Sequence, residues 1–112
     1  MSRLTTHVLD TARGKTAAGV AVDLHEWRDG SRRLLKTFLT DRDGRAAALT
    51  VNTGTYELVF HAGDYFRATG MQLPDPPFLD EVVIRFGIAD ASGHYHIPLL
   101  LAPYGYSTYR GS

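Results

Sequence analysis

The chain has 112 residues, a length that fits one domain, residues 1–112, with a real core and no need of disulfides or metals. Its formal net charge is zero and it contains no Cys. That excludes disulfides, thiolate catalysis and Cys-ligated metal, and it provides no long-range field to attract nucleic acid or an anionic membrane. Met1 to Asp10 shows no basic region followed by an apolar run, and no stretch approaches the about 18 apolar residues of a membrane span. A cytoplasmic protein is expected.

Hydrophobic residues recur with a period of two, which is the signature of half-buried strands. The expected strands in chain order are 3–10, 19–28, 32–39, 45–49, 55–62, 80–90, 94–102 and 105–110. Val20, Val22 and Leu24 alternate with Ala21, Asp23 and His25. Tyr56, Leu58 and Phe60 alternate with Glu57, Val59 and His61, and Val82, Ile84, Phe86 and Ile88 form a similar set. Turn chemistry separates the runs at Arg13-Gly14, Asp29-Gly30, Asp43-Gly44, Asn52-Thr-Gly54, Ser92-Gly93 and Pro103-Tyr-Gly105. Short strands at this spacing predict an antiparallel sandwich. One segment departs from the pattern: Asp64 to Thr69, between Gly63 and Gly70, reads as a short helix with Asp64 at its N-cap. Met71 to Phe78 is a proline-rich loop.

In the strand 94–102, Tyr95, Ile97, Leu99 and Leu101 face one way, and Pro98 and Leu100 make the other face apolar too. Either another subunit covers that outer face, or the strand is buried on both sides within one chain. The C-terminus is also unusual. Tyr104, Tyr106 and Tyr109 interleave with Ser107, Thr108 and Arg110, where a frayed polar end is the norm. A tail tied into a subunit interface accounts for both features.

Several residues have the chemistry for a site. His94 and His96 project from one face of a strand, a spacing that serves a metal, a general base with a polar neighbour, or plain solvent-face histidines. His7 faces outward with Thr5 and Leu9, and His25 and His61 read as surface residues. Arg45 follows the tight Asp43-Gly44 turn and opens a strand, placed for a surface ion pair or a rigidly held site. Ten of the twelve basic residues are Arg, from codon bias or for planar recognition of carbonyls and anions. No nucleophile elbow surrounds Ser107, Thr108 or Ser112, and no P-loop or dinucleotide fingerprint occurs.

Longer motifs join these signals. Thr5-Thr-His-Val-Leu-Asp-Thr-Ala-Arg-Gly-Lys15, with Ala18-Gly-Val20, resembles the opening of the transthyretin-related 5-hydroxyisourate hydrolases. Asp43-Gly-Arg45 is similar to an internal motif of that family, and His94-Tyr-His-Ile-Pro-Leu-Leu-Leu101 to its closing segment. The C-terminal Tyr109-Arg-Gly-Ser112 resembles its most specific signature. Transthyretin itself shares the fold and a similar Pro-Tyr-x-Tyr-Ser-Thr stretch, then diverges.

The resemblance implies an all-β, transthyretin-like antiparallel sandwich of about eight strands with one short helix. It implies a homotetramer, a dimer of dimers with active sites where dimers meet, and hydrolysis of 5-hydroxyisourate to 2-oxo-4-hydroxy-4-carboxy-5-ureidoimidazoline without cofactor or metal. His7 and His96 would activate water and shuttle protons, and Arg45 would hold substrate carbonyls and developing charge. Tyr109 would orient the substrate, with Arg110, Gly111 and Ser112 shaping the cleft. The alternative is a transthyretin-like binding protein for small aromatic ligands that performs no catalysis.

Overall fold

The structure, a computed structural model, describes residues 1–111, the side chains of residues 47–49 excepted. The strands are β1 (Ser2–Asp10), β2 (Lys15–Thr16), β3 (Ala21–Arg28), β4 (Ser31–Leu39), β5 (Arg45–Val51), β6 (Gly54–His61), β7 (Glu81–Ile88), β8 (His94–Ala102) and β9 (Gly105–Thr108). One helix, α1 (Ala62–Ala68), follows β6. One sheet has the order β4-β3-β6-β7. The other runs β2-β1-β8-β9, with β5 also paired to β1.

The two inner faces are those the alternation marks. Leu4 and Val8 of β1, with Tyr95, Ile97, Leu99 and Leu101 of β8, meet Val22, Leu24, Leu58 and Phe60 of the facing sheet. Residues at odd positions of β1 (Thr5, His7, Leu9) point outward and are half-buried. The Asp29-Gly30 turn has positive φ at both residues, 54° and 77°, as a two-residue hairpin requires, and closes β3 onto β4 with Arg28 opposite Ser31.

Most pairings are antiparallel, but β1 and β8 run parallel, with Thr5 opposite His96 and His7 opposite Pro98. A period of two carries no strand direction, so the alternation was silent on this pair. The Lys15–Thr16 strand was not expected; it pairs with Leu9 and Asp10 at the end of β1.

The helix corrects its expected start. It begins at Ala62, with His61 at the N-cap and no side-chain cap, so Asp64 sits inside the first turn and pairs with Arg67. The Gly63 N–H donates to the Asp80 carbonyl (2.9 Å), so the chain leading into β7 satisfies a donor that a capping side chain would otherwise take. The last strand ends at Thr108, two residues short of expectation, and the tail then rejoins β8 through a single bridge from Gly111 to His96.

The outer face of the β4-β3-β6-β7 sheet is less wet than alternation suggests. Glu57 is 1% exposed, held by Arg32 Nη2 (2.8 Å) and Arg85 Nε (2.9 Å), and the Arg85 guanidinium stacks 3.6 Å from the centre of the Trp27 ring. His61 Nε2 donates to Asp23 Oδ2 (2.8 Å), so it is a half-buried partner of a carboxylate and not a free surface residue. No helix among the described residues is long and apolar enough to cross a membrane.

Candidate active site

The parallel β1–β8 pair places residues from opposite ends of the chain side by side on the outer face of their sheet. There a polar cleft of about 360 Å³ is lined by Arg3, Thr5, Thr6, Arg45, Ala46, His94 and His96. Thr6 is a structural member, its buried hydroxyl donating to the Ile97 carbonyl (2.6 Å). The others face the opening.

His96 is the half-buried imidazole of the cleft. Its Nδ1 lies 2.7 Å from Thr5 Oγ1, and the same hydroxyl oxygen is 3.0 Å from His94 Nε2. Burial lowers the pKa of His96 below the usual imidazole value, and Coulombic interactions with Arg45, His94 and His7 push it further the same way. A histidine so placed is neutral and proton-accepting near pH 7.

Arg45 enters from β5, directly opposite His7. Its position is fixed by a tight turn: Asp41 Oδ1 accepts from the backbone N–H of Asp43 (2.9 Å) and of Arg45 (3.0 Å), and Gly44 adopts φ 76°. The Gly44 carbonyl accepts from the Val8 N–H (2.7 Å), and a Cβ at residue 44 would lie 2.4 Å from the Val8 carbonyl oxygen. Glycine is therefore demanded twice over, by the backbone angle and by the close approach. Among the described residues no carboxylate pairs with the Arg45 guanidinium, so the surface ion pair is not what it makes.

His7 stands beside this cleft. Its Nε2 is 2.9 Å from the Asp43 carbonyl oxygen. A carbonyl only accepts, so Nε2 carries the hydrogen and the free nitrogen of neutral His7 is Nδ1. This bond ties His7 to the turn that presents Arg45.

The tail meets the same place. The Gly111 N–H donates to the His96 carbonyl (2.7 Å), and a Cβ at residue 111 would fall 2.7 Å from His96 Cδ2. Gly111 thus lies so close to the His96 ring that a side chain there would collide with it. Arg110 reaches back to the His94 carbonyl (3.3 Å) and lays its guanidinium 4.0 Å from the Tyr95 ring centre. Ser112 lies outside the described residues.

His7, Arg45, His96 and Gly111 therefore come together, whereas the Tyr109 and Arg110 side chains line a neighbouring, largely apolar cleft of about 400 Å³ between β7 and the β8–β9 side. That second cleft is lined more by apolar groups, Ile84, Phe86 and Ile97 among them, and its lining offers no imidazole. The chemistry belongs to the polar one. Arg3 and the bridging hydroxyl of Thr5 are lining residues that the sequence reading did not single out. Their signal was the outward parity of β1, legible only once β8 is known to lie beside it.

A family model described as the HIUase/transthyretin family matches residues 4–111. The chain belongs to this family. Within it, the 5-hydroxyisourate hydrolase 2 of Rhizobium meliloti (strain 1021) is 60% identical, over 98% of this chain and 96% of the relative. Among solved structures, the 5-hydroxyisourate hydrolase of Klebsiella pneumoniae superposes with a TM-score of 0.83 at 36% identity, covering the whole of both chains. An (S)-allantoin synthase superposes with a TM-score of 0.90 at 39% identity over 99% of this chain, which spans only 44% of that longer protein.

Proposed function

We propose that this chain is a hydrolase that opens the ring of 5-hydroxyisourate to give 2-oxo-4-hydroxy-4-carboxy-5-ureidoimidazoline, a step of urate catabolism, acting without a cofactor. The observation that carries the reading is a half-buried imidazole of depressed pKa, His96, sharing a cleft with the guanidinium of Arg45, which pairs with no carboxylate among the described residues. The family membership and the full-length likeness to 5-hydroxyisourate hydrolases support it.

The substrate is a small, flat cyclic amide rich in carbonyls. Hydrolysis needs a nucleophilic water, a donor for the oxygen that becomes negative, and a proton for the departing ring nitrogen. His96 takes a proton from water as it adds to the carbonyl, help worth about 10²–10⁴ in rate for a positioned base. Arg45, held by its turn, donates to the developing oxyanion, where preorganised positive charge has its largest effect. The protonated imidazole then returns its proton to the ring nitrogen as the C–N bond breaks. His7 supports Arg45 through the Asp43 carbonyl and adds to the field that keeps His96 neutral.

The same reading takes residues 1–112 as one domain that assembles as a homotetramer, a dimer of dimers, in the cytoplasm. Half-buried Leu100 on the outer face of β8 and the exposed rings of Tyr104, Tyr106 and Tyr109 support an assembled form. There Tyr109, Arg110 and Ser112 would close the cleft over substrate. A carrier of apolar ligands has no use for the two guanidiniums and two imidazoles that line this cleft. The deciding experiment generates 5-hydroxyisourate with urate oxidase and follows its absorbance. Accelerated decay on adding the protein is expected, and decay at the spontaneous rate, with binding of substrate alone, would favour the carrier.

A further inference from the structure

The Thr5 hydroxyl touches two imidazoles and has only one hydrogen to give. Its oxygen lies 2.7 Å from His96 Nδ1 and 3.0 Å from His94 Nε2. With both rings neutral, a hydroxyl that donates to one must accept from the other. When the Thr5 hydrogen is given to one of the two rings, two arrangements satisfy the pair of contacts. In the first, His96 Nδ1–H donates to Thr5 and Thr5 donates to His94 Nε2, which leaves Nε2 of His96 as a bare lone pair. In the second every hydrogen is reversed, His96 carries its hydrogen on Nε2, and no base is available there. The tautomers of the two histidines are therefore locked together through one side chain.

The surroundings decide between them. Among the described residues the cleft is lined by two guanidiniums, Arg3 and Arg45, and by no carboxylate. Guanidiniums only donate, and their positive field favours a lone pair facing them over an N–H. The first arrangement puts that lone pair there. We propose that Thr5 and His94 are positioning residues that hold His96 in its Nδ1–H tautomer, so that Nε2 is the base of the reaction; the catalytic part of this rests on the hydrolase reading above. His94 earns its place as an acceptor: by drawing the Thr5 hydrogen to itself, it turns the hydroxyl's lone pair toward His96. Neither residue needs to touch the substrate.

Nitrogen-detected NMR of the ¹⁵N-histidine-labelled protein at pH 8 reads the tautomers with no substrate present. Both His96 and His94 are expected as Nδ1–H. In Thr5→Val, which keeps the shape and loses the hydroxyl, His96 should become a mixture, and the same mixing is expected in His94→Ala. Kinetically, Thr5→Val should lower kcat by about 10–100-fold, short of the about 10⁴-fold cost of a wrong tautomer in a Ser-His-Asp triad, and leave KM nearly unchanged. Thr5→Ser should restore the wild-type tautomer and rate. A wild-type His96 found as Nε2–H, or unaltered by Thr5→Val, overturns the proposal. So does a Thr5→Ser variant as slow as Thr5→Val, which would make methyl packing the cause. Because the tautomer is read in the resting protein, a wild type inert toward 5-hydroxyisourate would defeat the hydrolase reading and leave the hydrogen-bond assignment to stand or fall separately.

Discussion

Gly111→Ala is the sharpest test of the site's geometry, because it adds one methyl where the tail rests on the His96 ring. The new Cβ would sit 2.7 Å from His96 Cδ2 and 3.3 Å from Cγ, whereas ordinary contact begins at 3.4 Å, so ring and tail must part by about 0.7 Å. If the ring yields, its Nδ1 moves off Thr5 and its Nε2 off the reacting water; a displacement approaching 1 Å in a catalytic group costs about 10²-fold in rate. If the tail yields, the 2.7 Å bond from the Gly111 N–H to the His96 carbonyl is lost, which costs about 1 kcal/mol of stability and uncovers the cleft. Both routes predict kcat/KM lower by about 10–100-fold, with Tm falling by only a few degrees, about 4–8 °C per kcal/mol in small domains. The assay is the decay of enzymatically generated 5-hydroxyisourate, beside thermal unfolding of the same preparation. Gly105→Ala is the control, since a Cβ there meets nothing within 4 Å in the chain. A Gly111→Ala enzyme within about twofold of wild type, at unchanged Tm, would show that the tail does not bear on His96 and would refute this account of the site.

Arg45→Ala should lower kcat by about 10²–10³, the range for losing one oxyanion donor, with no change in oligomeric state by size-exclusion chromatography; retained activity removes Arg45 from the mechanism. Deleting Tyr109 to Ser112 should abolish turnover in the same assay, and an active truncated enzyme would reject the tail's role. The pH profile follows from the direction of the His96 shift. Its folded pKa is lowered by burial and by Coulombic interactions with Arg45, His94 and His7, so the base stays neutral as pH falls through 6.5, and the acid limb of kcat/KM should have its midpoint below that value. A midpoint above 6.5 would contradict the assignment. For stability the telling group is Asp10, which has no exposed surface. Burial raises its pKa, but bonds from Tyr65 (2.8 Å) and Arg13 (2.9 Å) outweigh this and hold it below the usual carboxylate value. Its contribution is present above pH 3.8 and is lost as pH falls through the lower folded value. Asp10→Asn should therefore cost about 2 kcal/mol at pH 7, seen as a lower urea midpoint, and much less near pH 2.

Much of the fold was legible because burial in a sheet is written in parity. Val8, Val22, Leu58 and Leu99 each sit where alternation puts them, and the Asp29-Gly30 and Asp43-Gly44 turns fall where their residues tolerate positive φ. The helix start was misread because the partner of the Gly63 N–H, the Asp80 carbonyl, comes from a distant segment and leaves no local capping signal. Glu57 read as a solvent-face residue for a similar reason: what covers it, Arg32, Arg85 and Trp27, arrives from three other positions in the chain.

The residues of the site divide along the same line. Types and spacings left His7, Arg45 and His96 open, and the resemblance of longer motifs to a family marked them; local chemistry explains why Arg45 is rigid, since the Asp41–Arg45 turn is contained within five residues. What only the tertiary structure decided is adjacency. The parallel pairing of β1 with β8 sets Thr5 beside His96, 91 residues away, and makes one hydroxyl the partner of two imidazoles. Side-chain parity is a property of each strand by itself, but strand order and direction depend on how two whole sheets bury their apolar faces together. A cleft built across that pairing has no signature in any one stretch of the chain.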